Sequence, residues 1–208
     1  MNKPISFKDL YLFKANELLK KREERVFEID EENQYAFDFF VSYFSDLENL
    51  RKLGGKPHKG IFFYGNCGTG KSLFFEILEE VYKCHKNPAY RIKTVNTIEL
   101  TDNIISELSR PNQLASRDMT LYQKYSTGSI HFEDLGAERK LNHFGNSIEI
   151  VSDIIQLRYS KSRRSICKSF MTSNLSPDQI GKRYGERLHD RFFELFNFVE
   201  MEGKSRRE

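Results

Sequence analysis

In Gly60-Ile-Phe-Phe-Tyr-Gly65-Asn-Cys-Gly-Thr-Gly70-Lys71-Ser72, glycines, a lysine and a serine fall at the spacing G-x-x-x-x-G-K-[ST]. Residue types in this pattern hold phosphate. Glycines at 65, 68 and 70 let backbone N–H groups approach anionic oxygens, and a helix N-terminus adds further donors. The expected cradle is Gly65, Asn66, Cys67, Gly68, Thr69, Gly70, Lys71 and Ser72. Lys71 would reach the β- and γ-phosphates of a nucleotide, and the Ser72 hydroxyl would bind Mg²⁺. A second group, Glu133-Asp134, follows the apolar run Ile130-His-Phe132. At a strand tip, one of these carboxylates would hold Mg²⁺, directly or through water, and the next would orient and deprotonate an attacking water.

These groups need a scaffold to bring them together. Ile61 to Tyr64 is the short apolar run of a buried strand, and after the loop Leu73, Phe74, Ile77, Leu78 and Val81 recur at helical spacing. Upstream, Ser6 with Asp9 three places on starts a helix that runs to about Glu24. Phe37, Phe40, Val41, Phe44 and Leu47 predict another helix over Glu32–Leu53. Downstream, strands are expected over Tyr90–Thr97, Ser129–Gly136, Ser165–Asn174 and Phe196–Met201. Helices over Thr97–Leu108, Asn146–Ser160, from Ser176 onward and over Glu186–Leu195 alternate with them, with Tyr122 in a short helix of its own. Such alternation argues for an α/β domain with a parallel sheet.

The ordered series of phosphate loop, Phe132-Glu-Asp-Leu-Gly-Ala-Glu138, Thr172-Ser-Asn174-Leu-Ser and Tyr184-Gly-Glu-Arg187-Leu-His-Asp-Arg191 resembles the DnaC/IstB-like branch of the AAA+ ATPases. That branch contains helicase loaders and the ATP-dependent helper proteins of insertion sequences. The likeness begins near residue 25, and Arg158-Tyr159 and Gly203-Lys-Ser-Arg206 also look like its features. It implies a P-loop NTPase of AAA+ type, α/β, in three α/β/α layers with a five-stranded parallel sheet. Five residues follow Gly203, so no C-terminal helical lid is expected. Residues 1–30 would be a helical leader and 31–208 the ATPase domain.

The same resemblance implies ATP and Mg²⁺ as cofactors and ATP hydrolysis as the activity. Asn174 would be a polar sensor that positions the lytic water. Arg191 would be an arginine finger acting in trans on a neighbouring subunit's γ-phosphate, with Arg187 at the same interface. The implied partners are further copies of the chain in an ATP-dependent oligomer, DNA (most simply single-stranded), and a replicative helicase or a transposase. DNA would pass near Asn112, Ser116, Arg117 and Lys124. One departure bears on rate. The strand-tip pair in this branch is commonly Asp-Asp or Asp-Glu, whereas Glu133-Asp134 puts the longer acid at the metal position and points to slow hydrolysis.

Composition narrows the field less. Lys+Arg at 33 against Asp+Glu at 30 gives a formal charge of +3, which by itself makes no case for nucleic acid. Two local clusters, Lys161/Arg163/Arg164 and Lys204/Arg206/Arg207, read as solvated faces before they read as phosphate contacts. Cys67, Cys84 and Cys167 are too scattered for a zinc site or a disulfide framework, which favours a reducing cytosol. No apolar run approaches the ~20 residues of a membrane span, and Met1–Asp9 lacks a signal-peptide core, so a cytoplasmic location is expected. His131 reads as packed in the sheet. Two rivals stand beside the ATPase reading. A P-loop small-molecule kinase is disfavoured by the Thr172-Ser-Asn174 and Arg187/Arg191 pattern; a nucleotide-gated adaptor with little hydrolysis is kept open by the order of the acid pair.

Overall fold

A computed structural model describes residues 5–109, 120–138, 141–143, 146–148, 150–162 and 167–207. The helices are α1 Phe7–Glu23, α2 Gln34–Ser45, α3 Leu47–Lys52, α4 Leu73–His85, α5 Thr97–Leu108, α6 Leu121–Tyr125, α7 Ile150–Ser162, α8 Pro177–Tyr184 and α9 Glu186–Leu195. The strands are β1 Gly60–Tyr64, β2 Lys93–Asn96, β3 Ile130–Glu133, β4 Leu141–His143, β5 Asn146–Ile148, β6 Ser169–Ser173 and β7 Phe196–Glu200. Five of the strands form one parallel sheet in the order β2-β3-β6-β1-β7. The expected α/β architecture with a five-stranded parallel sheet is therefore present.

Two compact units divide the chain. One comprises the described parts of 59–65 and 93–198 and carries nearly all of the sheet. Register is set by Phe62 opposite Met171 and Tyr64 opposite Ser173 between β1 and β6, and by Phe132 opposite Met171 between β3 and β6. Its core joins sheet residues Phe62, Phe132 and Met171 to Leu100 and Ile104 of α5, Ile154 and Ile155 of α7, and Leu188 and Phe192 of α9. A Cβ at Gly60 would run into the Ser169 carbonyl, so β1 enters beside β6 through a position that only glycine can fill.

The other unit comprises the described parts of 1–58, 66–92 and 199–208. Its centre is aromatic. Tyr11 of α1, Phe37 and Phe40 of α2 and Phe74 of α4 are buried together, with ring centroids 5.6 Å apart for Tyr11–Phe40 and 5.3 Å for Phe40–Phe74. The buried Tyr11 hydroxyl donates to the Phe74 carbonyl at 3.0 Å, which satisfies its polar end.

Three sequence expectations are corrected. The helix expected over Glu32–Leu53 breaks at Asp46, whose carboxylate accepts from the Glu48 and Asn49 amides and so caps a new helix, α3. Residues 146–148 are not the start of a helix; they pair antiparallel with 141–143, and α7 begins at Ile150. The strand expected from Tyr90 begins at Lys93, because Pro88–Tyr90 is a 3-10 turn capped by Asn87 and Tyr90 packs on Phe7. Among the described residues no helix is long and apolar enough to cross a membrane.

Candidate functional site

The phosphate loop leaves β1 at Tyr64 and ends where α4 begins at Leu73. Gly65, Gly68 and Gly70 have φ of 129°, 82° and 92°, so each glycine takes a backbone conformation that side chains disfavour. Lys71 is buried, and its ammonium donates to the Asn66 carbonyl at 2.5 Å and to the Thr69 hydroxyl at 3.4 Å. The Thr69 hydroxyl donates to the same Asn66 carbonyl at 3.0 Å. The lysine is thus folded onto acceptor oxygens of its own loop, the kind of atom a phosphate would replace. Ser72 has helical dihedrals, and its hydroxyl makes no capping bond to the α4 backbone. Cys67 is exposed.

Gly203 to Arg207 runs against this loop. The Arg206 amide donates to the Gly68 carbonyl, and the Asn66 side-chain amide donates to the Gly203 carbonyl. Arg206 had read as part of a solvated basic cluster. Its guanidinium instead pairs with Asp30 at 2.7 Å and Glu32 at 3.4 Å.

In the sheet-bearing unit, β3 ends at Glu133 and the chain turns through Asp134 to Gly136. Both acids are half-buried. Asp134 has φ 55°; among the described residues the other non-glycines with positive φ, Glu24 and Lys86, are helix C-caps. A strained aspartate at a strand tip needs neighbours that hold it, and they are present. The Thr97 hydroxyl donates to the Asp134 carbonyl at 2.9 Å, and the Leu135 amide donates to the Thr172 carbonyl at 2.9 Å. The Ser173 hydroxyl donates to the Leu135 carbonyl at 2.5 Å. Glu138, buried, accepts from the Gly136 amide at 2.9 Å and from the Tyr184 hydroxyl, while Arg183 donates to the Glu138 carbonyl at 2.5 Å. Burial, with the Glu138 charge beside it, raises the Tyr184 pKa well above the usual phenol range.

Sequence reasoning gave no role to Thr97, Thr172, Ser173, Glu138, Arg183 or Tyr184. Glu138, Thr172, Ser173 and Tyr184 stood within quoted motifs, but buried polar side chains on separate segments carry no periodic signal. His131 lies fully buried between Thr94 and Thr172, 3.2 Å from each hydroxyl. Burial lowers its pKa to about 3, so the ring is neutral and structural, as expected.

Asn174 is exposed, one residue past the end of β6. The structure brings it, Glu133 and Asp134 to the C-terminal ends of neighbouring parallel strands, the edge at which ligands gather in open α/β sheets. On α9, Arg187 is exposed. Arg191 donates to the Gln156 side chain at 2.9 Å and lies 4.9 Å from the Tyr159 ring centre. Lys124 is exposed on α6; Asn112, Ser116, Arg117, Arg163 and Arg164 lie outside the described residues.

No known family model matches the chain, and no curated protein does. Solved structures do. AMPPCP-bound DnaA from Aquifex aeolicus aligns over 87% of this chain and 50% of its own, with TM-score 0.55 and 20% identity. DnaI aligns over 89% of this chain and 93% of its own, with TM-score 0.51 and 21% identity. The replication initiator DnaA bound to AMPPCP and single-stranded DNA aligns over 86% of this chain and 49% of its own, with TM-score 0.56 and 19% identity. The chain therefore spans about half the length of the DnaA structures it matches. At these identities the likeness establishes the fold, which is that of the P-loop domains of AAA+ proteins.

Proposed function

We propose that this chain is an ATP-binding, DNA-associated AAA+ ATPase that oligomerises with ATP and loads a replicative helicase or assists a transposase. The observation that carries the reading is the phosphate loop itself, with three left-handed glycines and a buried lysine between β1 and α4. The fold shared with proteins solved with AMPPCP, and in one case with single-stranded DNA, supports it. The chain's own oxygen donors suit Mg²⁺, which takes one or two protein oxygens and completes its shell with phosphates and water. In this reading Ser72 and Glu133 would hold the ion, whose charge would offset that of the phosphates when it is bound. Asp134 takes the proton of the attacking water, and Asn174 orients that water. Arg191 of one subunit, with Arg187 beside it, approaches the nucleotide of the next. Residues 1–30 form the leader that meets the partner.

A second reading, the nucleotide-gated adaptor with little turnover, is favoured by two observations. The acid at the metal position is the longer Glu133, and Arg191 is engaged by Gln156 and Tyr159 of its own chain. ATP hydrolysis measured with and without single-stranded DNA, across protein concentration, separates the two. The ATPase reading expects turnover that rises with concentration, is abolished in Lys71→Ala and falls roughly 10³-fold in Arg191→Ala. Nucleotide-dependent assembly without turnover would establish the adaptor. Arg191→Ala activity equal to wild type at every concentration would remove the trans finger.

A further inference from the structure

We propose that Arg206 is a positioning residue for the phosphate loop, and that Gly203–Arg207 is a strap that sets the loop for a polyphosphate. The inference rests on the nucleotide-binding reading above. The Arg206 amide donates to the Gly68 carbonyl at 2.9 Å, while its guanidinium is anchored on Asp30 and Glu32. At the other end of the strap, the Gly203 carbonyl accepts from the Asn66 side chain at 3.3 Å. One residue thus grips the loop with its main chain and fixes itself with its side chain. The fit is close. A Cβ on Gly68 would collide with the Ser205 side chain, and one on Gly203 would collide with the Glu32 carboxylate.

Peptide geometry turns this grip into an effect on anion binding. In a planar trans peptide the C=O and the following N–H point in opposite directions. Holding the Gly68 carbonyl toward Arg206 therefore directs the Thr69 N–H away from the strap and fixes it as a donor. A loop that binds anions through backbone N–H groups gains affinity when those donors are oriented before the ligand arrives. The two carboxylates also balance the guanidinium, so Arg206 acts as an anchor rather than as a cationic ligand. The Arg206 hydrogen bond holds the Asp30 carboxyl below the usual carboxylate range, so the anchor is intact at neutral pH.

The test is binding of a fluorescent ATP analogue, with inorganic pyrophosphate as competitor, to the full chain and to Arg206→Ala, Arg206→Lys and Lys71→Ala, alongside thermal unfolding. Arg206→Ala is expected to weaken both ligands about tenfold, the scale of one charge-assisted contact, with the unfolding midpoint unchanged. Arg206→Lys should recover part of the loss, because an ammonium can still reach the carboxylates. If Arg206→Ala binds like wild type while Lys71→Ala has lost binding, the strap is overturned and the nucleotide reading stands. A loss that tracks a lowered unfolding midpoint, or one equally deep in Arg206→Lys, also overturns it. Wild-type protein that binds neither ligand removes both proposals.

Discussion

In the unit formed by residues 1–58, 66–92 and 199–208, rings pack on rings: Tyr11, Phe37, Phe40, Phe44 and Phe74 meet at centroid separations from 4.9 to 6.5 Å. In the unit formed by 59–65 and 93–198, the apolar core encloses buried polar groups. Arg158 is the extreme case. Fully buried on α7, it donates to the carbonyls of Tyr125, Thr127, Gly128 and Lys168 and to the Ser169 hydroxyl. Its guanidinium also lies 5.4 Å from the Phe132 ring centre, and burial lowers its pKa to about 10, which leaves it charged at neutral pH. Rings attract without much direction and tolerate small shifts, whereas hydrogen bonds fix distance and angle. The first unit can hold a loop by packing around it. The second must place strand tips, and it does so by tying the segments that enter β3 and β6 to one five-donor fork.

The largest expected effect in breaking that contrast is at Arg158. Arg158→Met removes the donor from the Tyr125, Thr127 and Gly128 carbonyls and the Ser169 hydroxyl, at about 1–3 kcal/mol for each that stays buried and unmatched, while the Lys168 carbonyl keeps the Ile130 amide. A total loss of at least ~4 kcal/mol is expected, much of the stability of a domain this size. Denaturant unfolding would check it, and Arg158→Lys should rescue little because an ammonium lacks the planar fork.

Next comes acid sensitivity through His131. Its folded pKa, about 3, lies below the ordinary value of 6.5, so the unfolded chain takes up a proton that the folded chain refuses. Stability is fully present above pH 6.5 and is lost as pH falls toward 3. Between pH 6.5 and 5 the loss should be ~2 kcal/mol, at 1.36 kcal/mol per unit. Chemical denaturation at pH 7 and pH 5 would show it, and His131→Gln should flatten the difference.

The smallest effect belongs to the aromatic unit. Phe40→Leu should cost only about 1–2 kcal/mol, since a smaller apolar side chain can be partly accommodated by its neighbours. A cost for Phe40→Leu equal to that of Arg158→Met would erase the distinction between the two units.

The same contrast decides what could be read from the sequence. The strand–loop–helix setting of the glycine-rich motif, the strand–helix alternation, the Ser6 cap and the strand-tip position of the acid pair were legible, because each depends on neighbours within a few positions. Arg158 falls at helical spacing with Val151, Ile154 and Ile155, but nothing local says that an arginine there will find five acceptors on two other segments. The β4–β5 pair was missed because three-residue strands show no period and their pairing is tertiary. Asp46 was missed as a helix start because Phe44 and Leu47 carry the apolar spacing across the break. Pairing of Arg206 with Asp30 and Glu32 spans more than 170 positions, and no local pattern encodes it.

The division of the chain has one more consequence. The polypeptide passes between its two units at 58/59, 65/66, 92/93 and 198/199, so neither unit is a single stretch of sequence. The second of these passages falls inside the phosphate motif, between Gly65 and Asn66. No single recombination breakpoint could lift out either unit or trade it for a relative's version. An exchange would need several breakpoints, one of them inside the G-x-x-x-x-G-K-S motif.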